Sequence, residues 1–174
     1  MFLNKFYDEG SFATLVAVWK DGDWIAYGDS VAFSYNVKTG ILQHSYTELV
    51  DFNNPPYLVN WKNPLNPEGF RSGRFEVDGD CVVFAASDTL AHYILMMYEI
   101  ANCICFDKEL RDAVDAQTKN SNFVKTAMSL GNVDFRVDVI KKLQNCENWL
   151  LLERHIKNLK NKGLIGHDDY SIVI

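Results

Sequence analysis

Two aspartates stand where an apolar, strand-like run gives way to a helix or a turn, and they are the residues best placed to do chemistry. Asp88 follows the apolar residues 81–87 and precedes a stretch with the pattern of an amphipathic helix. Asp168 comes shortly before residues 171–174, which are typical of a final strand. Two carboxylates aimed at one point would form half of a site for Mg²⁺ or Mn²⁺, which favour carboxylate oxygens and water. The structural alternative is that Asp88 only caps a helix and that Asp168 with Asp169 only forms a turn.

Four short segments of the chain follow one another in an informative order. They are GSFATLVAV at 10–18, DWIAYGDSVAF at 23–33, DGDCVVFAASDTLA at 78–91 and GHDDYSIV at 166–173. This succession resembles the C-terminal half of the metal-dependent (PPM-type) serine/threonine protein phosphatases. It is most similar to the bacterial phosphatase-like branch of that family, which carries Ala-Leu-Ala in place of Gly. The likeness covers most of the chain apart from a helical insert at residues 105–160.

The resemblance implies a role for each of four aspartates. Asp88 and Asp168 would be ligands of Mg²⁺ or Mn²⁺, and Asp169 would support them from the next position. Asp29, in the Gly28-Asp29-Ser30 segment, would serve an accessory metal, although it could equally orient backbone amides in its turn. The implied substrate is a phosphoprotein.

The chain also departs from the family pattern. Catalysis in the family uses an N-terminal Asp-Gly pair and a basic phosphate-binding residue, and residues 2–8 offer neither. Asp21-Gly22 lies between two strand patterns and is typical of a hairpin turn. We therefore predict half of a metal site, unknown catalytic residues and no activity for the isolated chain.

Composition limits the classes of function. A length of 174 residues predicts one domain, and the net charge of −6 argues against general binding of nucleic acid or membrane surfaces. Neither a signal peptide nor a membrane-spanning segment is predicted, so we expect a cytoplasmic protein. The four cysteines match no zinc-site spacing, and buried free thiols are preferred over disulfides.

The pattern of strands and helices predicts an α+β fold. An antiparallel sheet or partial β-sandwich would pack against helices, with a meander at residues 11–45 and a long irregular loop at 51–72 that holds all four prolines. Residues 73–77 and 80–86 would pair as a hairpin across Asp78-Gly79. Helices are predicted from 88, within 108–130 and over 135–160, with Gly163 as the last C-cap. The inward positions would be Leu90, Ile94, Met97, Ile100, Val139, Leu143, Trp149, Leu150, Leu152 and Ile156.

Three hypotheses for function remain open. The first is a phosphatase domain that lacks part of its metal site. The second is a non-catalytic binding or scaffold module. It would form a homo-oligomer, or associate with a missing N-terminal half, through a set of sheet residues of which part would lack cover unless the helices supply it: Phe12, Leu15, Val16, Trp24, Ile25 and Phe33. The third is an unrelated α+β protein. A P-loop nucleotide hydrolase is excluded because its Gly-rich loop is absent.

Overall fold

The structure is a computed structural model that describes residues 10–174, so the expectation for residues 2–8 lies outside the described residues. The described chain forms two compact units. The first contains residues 10–46 and 55–86 together with Val173, and the second contains residues 47–54 and 87–172 together with Ile174. The first unit is built from antiparallel strands and the second from helices, which confirms the α+β class. The single-domain assignment stays a prediction.

Two sheets form the first unit. One has the strand order β1-β2-β5 and the other β4-β3-β6-β7. The predicted turn at Asp21-Gly22 is confirmed, because the Trp19 N–H donates to the Asp23 carbonyl at 2.8 Å and Gly22 has a φ of 94°. The strands are β1 (Leu15–Val18), β2 (Asp23–Tyr27), β3 (Val31–Asn36), β4 (Leu42–His44), β5 (Phe70–Arg74), β6 (Cys81–Ala86) and β7 (Ile172–Val173).

The predicted hairpin between residues 73–77 and 80–86 is wrong. β5 pairs with β2 in one sheet, whereas β6 pairs with β3 in the other. Asp78 does form a turn, with its carboxylate accepting the Asp80 N–H at 2.9 Å. The residues before that turn are held elsewhere, because the Gln43 side chain bonds both the N–H and the carbonyl of Glu76. The turn therefore joins two sheets and not two paired strands.

The core of the first unit is centred on β3. Val31, Ala32 and Phe33 have no exposed surface. The Phe33 ring stacks on Phe84, its partner across the sheet, with ring centroids 5.0 Å apart. This pair fixes the register of β3 against β6 because both rings occupy the same face.

The loop predicted at residues 51–72 is shorter and more ordered than expected. A 3₁₀ turn spans Leu49–Asn53, another spans Pro67–Gly69, and β5 already begins at Phe70. Asn66 caps the second turn by accepting the Glu68 N–H, while its own N–H donates to the Tyr27 hydroxyl at 3.0 Å. Residues 54–66, which hold three of the four prolines, contain no helix or strand, as the prolines predict.

Helices dominate the second unit. The first helix is buried on nearly all sides, and the predicted inward residues Leu90, Ile94, Met97 and Ile100 are confirmed as buried. The helices are α1 (Asp88–Ala101), α2 (Cys103–Asp115), α3 (Lys119–Met128), α4 (Lys141–Gln144) and α5 (Trp149–Asn161), with a π-turn at Arg136–Ile140.

The predicted continuous helix over residues 135–160 is wrong. Asn148 adopts an extended backbone and its side chain accepts the Leu151 N–H at 3.1 Å, so a new helix begins there. The restart changes which residues face inward. Trp149 and Leu150 are 63% and 72% exposed, although both were predicted to be buried. The buried positions Val139, Leu143, Leu152 and Ile156 are confirmed, as is the Gly163 C-cap with a φ of 68°.

All four cysteines are free thiols, as predicted. The expectation that they are buried is wrong for Cys103 and Cys105, which are exposed at the start of α2. That helix is distorted at Phe106, whose φ of −111° and ψ of 17° are not helical. Over residues 10–174, no helix combines the length and the apolar character needed to cross a membrane.

Candidate functional site

The N-terminus of α1 and the segment just before β7 are held together by Ser87. The backbone N–H of Ser87 donates to the Ser171 carbonyl at 3.0 Å. Its hydroxyl accepts the Ser171 N–H at 3.1 Å and donates to the Asp169 carbonyl at 3.3 Å. These three bonds join residues 82 to 84 positions apart in sequence, so the start of α1 and the acidic segment form one piece of structure.

The Asp168 carboxylate is fixed by two donors. One oxygen accepts the Asp169 N–H at 2.9 Å, and the other accepts the Thr89 hydroxyl at 3.3 Å. The segment behind it is braced by Tyr170, whose hydroxyl donates to the Gly166 carbonyl and whose ring lies 4.7 Å from the Lys160 ammonium. Asp168 therefore has a defined orientation even though its side chain is exposed.

Asp88 is the first residue of α1 and is half-buried. Burial raises the pKa of its carboxyl, and the negative charges of Asp168 and Asp169 raise it further. A hydrogen bond from the Thr89 N–H opposes this shift. The charges of Asp168 and Asp169 act on Asp88, and the neighbouring Thr89 donates its hydroxyl to Asp168, so the start of α1 and the acidic segment are neighbours.

The arrangement offers a hard cation oxygen ligands but few of them. Asp88 and Asp168 are carboxylates of the type that Mg²⁺ and Mn²⁺ prefer, and repulsion between them would be relieved by a bound cation. Between residues 10 and 174, however, no group of three or more His, Cys, Asp or Glu side chains is placed to hold a metal ion. The donor set fits a weak site that keeps most of the cation's water.

Asp29 lies in the first unit, in the turn between β2 and β3. The turn is tight: Gly28 has a φ of 92°, and a Cβ at that position would come within 2.7 Å of the Tyr57 carbonyl oxygen. The Arg71 guanidinium donates to the Gly28 carbonyl, and the hydroxyls of Thr14 and Ser30 lie 2.6 Å apart. This network supports the turn, and the accessory metal role of Asp29 stays a prediction.

Sequence reasoning missed a second acidic cluster, in which Glu99 is the central residue. Glu99 lies in the last turn of α1 and is 1% exposed, and among residues 10–174 no group gives its carboxyl oxygens a well-formed hydrogen bond, although the Glu109 carboxyl lies close enough to interact with it. Burial raises its pKa to about 8, with further contributions from Glu109 on α2 and Glu48. Glu109 also has a raised pKa, first because of burial and then because of Glu48. The available signal was a lone acid within the apolar run 94–100.

His92 was missed as well. It is fully enclosed on α1, with Phe52 and Phe123 packed edge-on against its ring at centroid distances of 5.4 and 6.5 Å. Its Nε2 has no hydrogen-bond partner among residues 10–174, and burial lowers the pKa of the ring to about 4. The ring is neutral at physiological pH and acts as part of the core.

Comparison with models of protein families, with curated proteins and with solved structures finds no match for this chain.

Proposed function

We propose that this chain is a phosphatase-like domain, related to the metal-dependent serine/threonine protein phosphatases, that binds Mg²⁺ or Mn²⁺ weakly and does not turn over substrate by itself. The observation that carries the proposal is the junction between α1 and the segment before β7. There Asp88 and Asp168, eighty positions apart, belong to one hydrogen-bonded structure through Ser87 and Thr89.

Each acidic residue has a distinct part in this proposal. Asp88 and Asp168 would be the ligands, Asp169 would hold Asp168 through its backbone N–H, and Asp29 would serve an accessory cation. A bound cation of this kind lowers the pKa of its water and stabilises negative charge on a phosphoryl group. The chain's own residues orient the ligands, because the Thr89 hydroxyl and the Asp169 N–H fix the two oxygens of Asp168.

The lack of turnover follows from the number of ligands. Two carboxylates hold a hydrated divalent cation with a Kd of about 1 mM, comparable to weak calcium sites. Phosphoryl transfer in the resembled family needs two metals, so the remaining ligands would come from a second chain or from an N-terminal half in a longer protein. The natural substrate in that assembly would be a phosphoprotein.

Binding of Mn²⁺ to the full chain tests this proposal, with paramagnetic broadening of amide NMR signals as the measurement. Signals of residues 87–89 and 167–171 should broaden first and saturate. Asp88→Asn and Asp168→Asn should each abolish the selective broadening, whereas Asp115→Asn, at an exposed carboxylate on α2, should leave it unchanged. Broadening centred elsewhere would refute the metal site.

The absence of turnover needs its own assay. Hydrolysis of p-nitrophenyl phosphate in Mn²⁺ should remain at the rate of buffer alone. Metal-dependent hydrolysis that disappears in Asp88→Ala would show that the site is complete and that the proposed missing half is not required.

A second candidate function is a binding module that associates with another copy of the chain through the β1-β2-β5 sheet. The favouring observation is a pair of exposed apolar side chains on one face: Leu15 and Phe70 are 46% and 49% exposed, and both are strand partners of Tyr27, which lies between them and is 3% exposed. Trp19, just beyond β1, is 50% exposed. Exposed apolar area of this kind typically marks an interaction surface.

Light scattering distinguishes this second candidate. A dimer that dissociates in Leu15→Glu and persists in Ile41→Glu, at an exposed residue preceding β4, would support association through that face. A strict monomer at high concentration would exclude it. Either result is independent of Mn²⁺ binding at Asp88.

A further inference from the structure

The 3₁₀ turn at Leu49–Asn53 is held within the second unit by different chemistry at its two ends. The turn packs against α1 and α2, and Leu49 is 1% exposed. At its C-terminal end, the Asn53 side-chain oxygen accepts the Thr118 hydroxyl at 2.6 Å and the Asn120 amide at 3.2 Å, both from the start of α3. No ionisable group takes part in these bonds, so this end of the turn is fixed independently of pH.

The other end of the turn begins at Glu48, beside carboxyl groups from two helices. Glu99 on α1 is enclosed at 1% exposure, whereas Glu109 on α2 is half-buried and Glu48 is exposed. The charge of Glu48 acts on both Glu99 and Glu109. Three packed elements therefore each bring one carboxyl to the same place, in a cluster that extends from the surface to the interior.

One ammonium group acts on this cluster, and it is already paired. Lys108 on α2 interacts with Glu48 and Glu109, but its ammonium forms an exposed ion pair with Asp112 at 2.7 Å. Asp112 in turn adds a further negative charge near Glu109. Because like charges repel strongly where water is excluded, the packed arrangement favours a proton on one of the enclosed carboxyls.

Glu99 is the carboxyl that holds this proton. Burial is the largest cause that raises its pKa to about 8, followed by the Glu109 and Glu48 carboxyls. Burial and then the charge of Glu48 also raise the pKa of Glu109, but the interaction with Glu99 opposes that rise. At neutral pH the protonated Glu99 therefore lies beside an ionised Glu109.

We propose that the Glu48–Glu99–Glu109 cluster is a pH-sensitive contact, from which the N-terminal end of the 3₁₀ turn is released in alkaline solution. While Glu99 keeps its proton, the turn stays packed on α1 and α2. When the proton is lost, three carboxylates on three elements repel one another, and the short turn moves more easily than either helix. The bonds from α3 to Asn53 retain the other end, so the opening is local. This contact is separate from the metal-binding proposal.

The difference in proton binding sets the size of the effect. In the open state Glu99 reaches solvent and has its ordinary pKa of 4.5, whereas in the closed state it keeps its proton up to about pH 8. Between these values the closed state binds one proton more than the open state. The ratio of closed to open molecules should therefore fall about tenfold for each pH unit, and should level off above about pH 8.

Hydrogen exchange of the full chain, followed by NMR between pH 5 and 9 and corrected for the intrinsic pH dependence of exchange, tests this proposal. The amides of Asp51 and Asn54 donate to carbonyls of the turn at 3.1 and 3.0 Å, and their protection should fall about tenfold per pH unit up to about pH 8. Gly69, whose amide donates to the Asn66 carbonyl at 3.0 Å in the other 3₁₀ turn, should keep constant protection.

Two outcomes of that experiment would overturn the proposal. One is constant protection of Asp51 and Asn54 over this pH range. The other is protection of these two amides equal to that of the slowest-exchanging amides in the chain, because the turn would then open only when the whole protein unfolds.

Two variants and one control identify the titrating group. Glu99→Gln keeps the shape of the side chain and should abolish the fall in protection. Glu109→Gln removes the largest neighbouring charge, so the fall should end at a lower pH than in the wild type. Asp107→Asn, at an exposed position on the same helix, should keep the wild-type profile. A wild-type fall in Glu99→Gln, or equal changes in the variants at positions 107 and 109, would contradict the proposal.

Discussion

Helix α1 carries an acidic cluster at each end, and the two clusters have opposite properties. At its N-terminus, Asp88 is half-buried and its neighbour Asp168 is exposed and held by two donors. In its last turn, Glu99 is 1% exposed and its carboxyl interacts with that of Glu109. The acidic group at the N-terminal end is therefore partly open to solvent, whereas the Glu99 carboxyl is enclosed.

Helix polarity increases this difference. The positive end of the helix dipole stabilises a carboxylate at Asp88, and the negative end destabilises one at Glu99. With burial and Glu109 acting in the same direction, the pKa of Glu99 rises to about 8. A carboxyl is therefore better able to carry its charge at the N-terminal end of α1 than in the last turn, where it keeps its proton.

The largest expected effect concerns Glu99. Because its pKa rises from 4.5 to about 8 on folding, its stabilising contribution is complete below pH 4.5 and is lost as the pH rises to about 8. Glu99→Gln should remove this loss and stabilise the protein at pH 8 by on the order of 3–5 kcal/mol, since each pKa unit corresponds to about 1.36 kcal/mol. Urea unfolding between pH 5 and 8.5 measures the effect.

Glu153→Gln is the matched control, because Glu153 is exposed on α5. Its pH profile of stability should equal that of the wild type. If Glu99→Gln retained the wild-type slope above pH 5, the two ends of α1 would not differ in the way described.

His92 should make the folding stability depend on pH with the opposite sign to Glu99. Its pKa falls from 6.5 to about 4 on folding, so its contribution is present above pH 6.5 and is lost as the pH falls toward 4. His92→Phe keeps an aromatic ring between Phe52 and Phe123 and should reduce this acid loss by on the order of 2–3 kcal/mol. Unfolding curves of the wild type and the variant at pH 4 and pH 7 measure this loss of stability in acid. An equal loss in both proteins would show that His92 is not its source.

Ser87→Ala should weaken the junction at the N-terminal end of α1. The hydroxyl accepts the Ser171 N–H and donates to the Asp169 carbonyl. Its loss should lower the free energy of unfolding by about 1 kcal/mol. It should also speed hydrogen exchange of the Ser171 amide. Ser129→Ala is the comparison, because that exposed hydroxyl bonds only within its own helix end. Unchanged exchange at Ser171 would mean that the junction is held by other contacts.

The sequence predicted the junction because its signals are local. A strand pattern that ends before Asp88, a helix pattern after it and a final strand pattern after Asp168 place both acids correctly. The hairpin across Asp78-Gly79 failed because the side chain of Gln43, over thirty positions away, takes the backbone groups of Glu76. A turn motif contains no information about such a distant competitor.

The break at Asn148 and a cavity among the helices were beyond sequence reasoning for a related reason. Apolar spacing alone continues through residues 145–148, and only the capping bond to Leu151 shows that the helix restarts. Tyr93 on α1 and His155 on α5 line one cavity of about 210 Å³ in the second unit, which no periodicity in either helix predicts.

The smallest expected effect is a change in the pKa of Asp88 when the charge of Asp168 is removed. Asp168→Asn removes a charge that raises the pKa of Asp88, so that pKa should fall. It should remain above the ordinary value, because burial is the larger cause. Carbon-13 NMR titration of the Asp88 carboxyl measures both points, and an unchanged pKa would show that the two groups do not interact.

A crystal structure with bound Mn²⁺, located by anomalous diffraction, tests the central claim most directly. The account predicts one anomalous peak with oxygens of both Asp88 and Asp168 at about 2.0–2.6 Å or joined to the ion through its water. A peak at another site, or carboxyl groups of Asp88 and Asp168 more than about 8 Å apart and so beyond a shared ion, would contradict it.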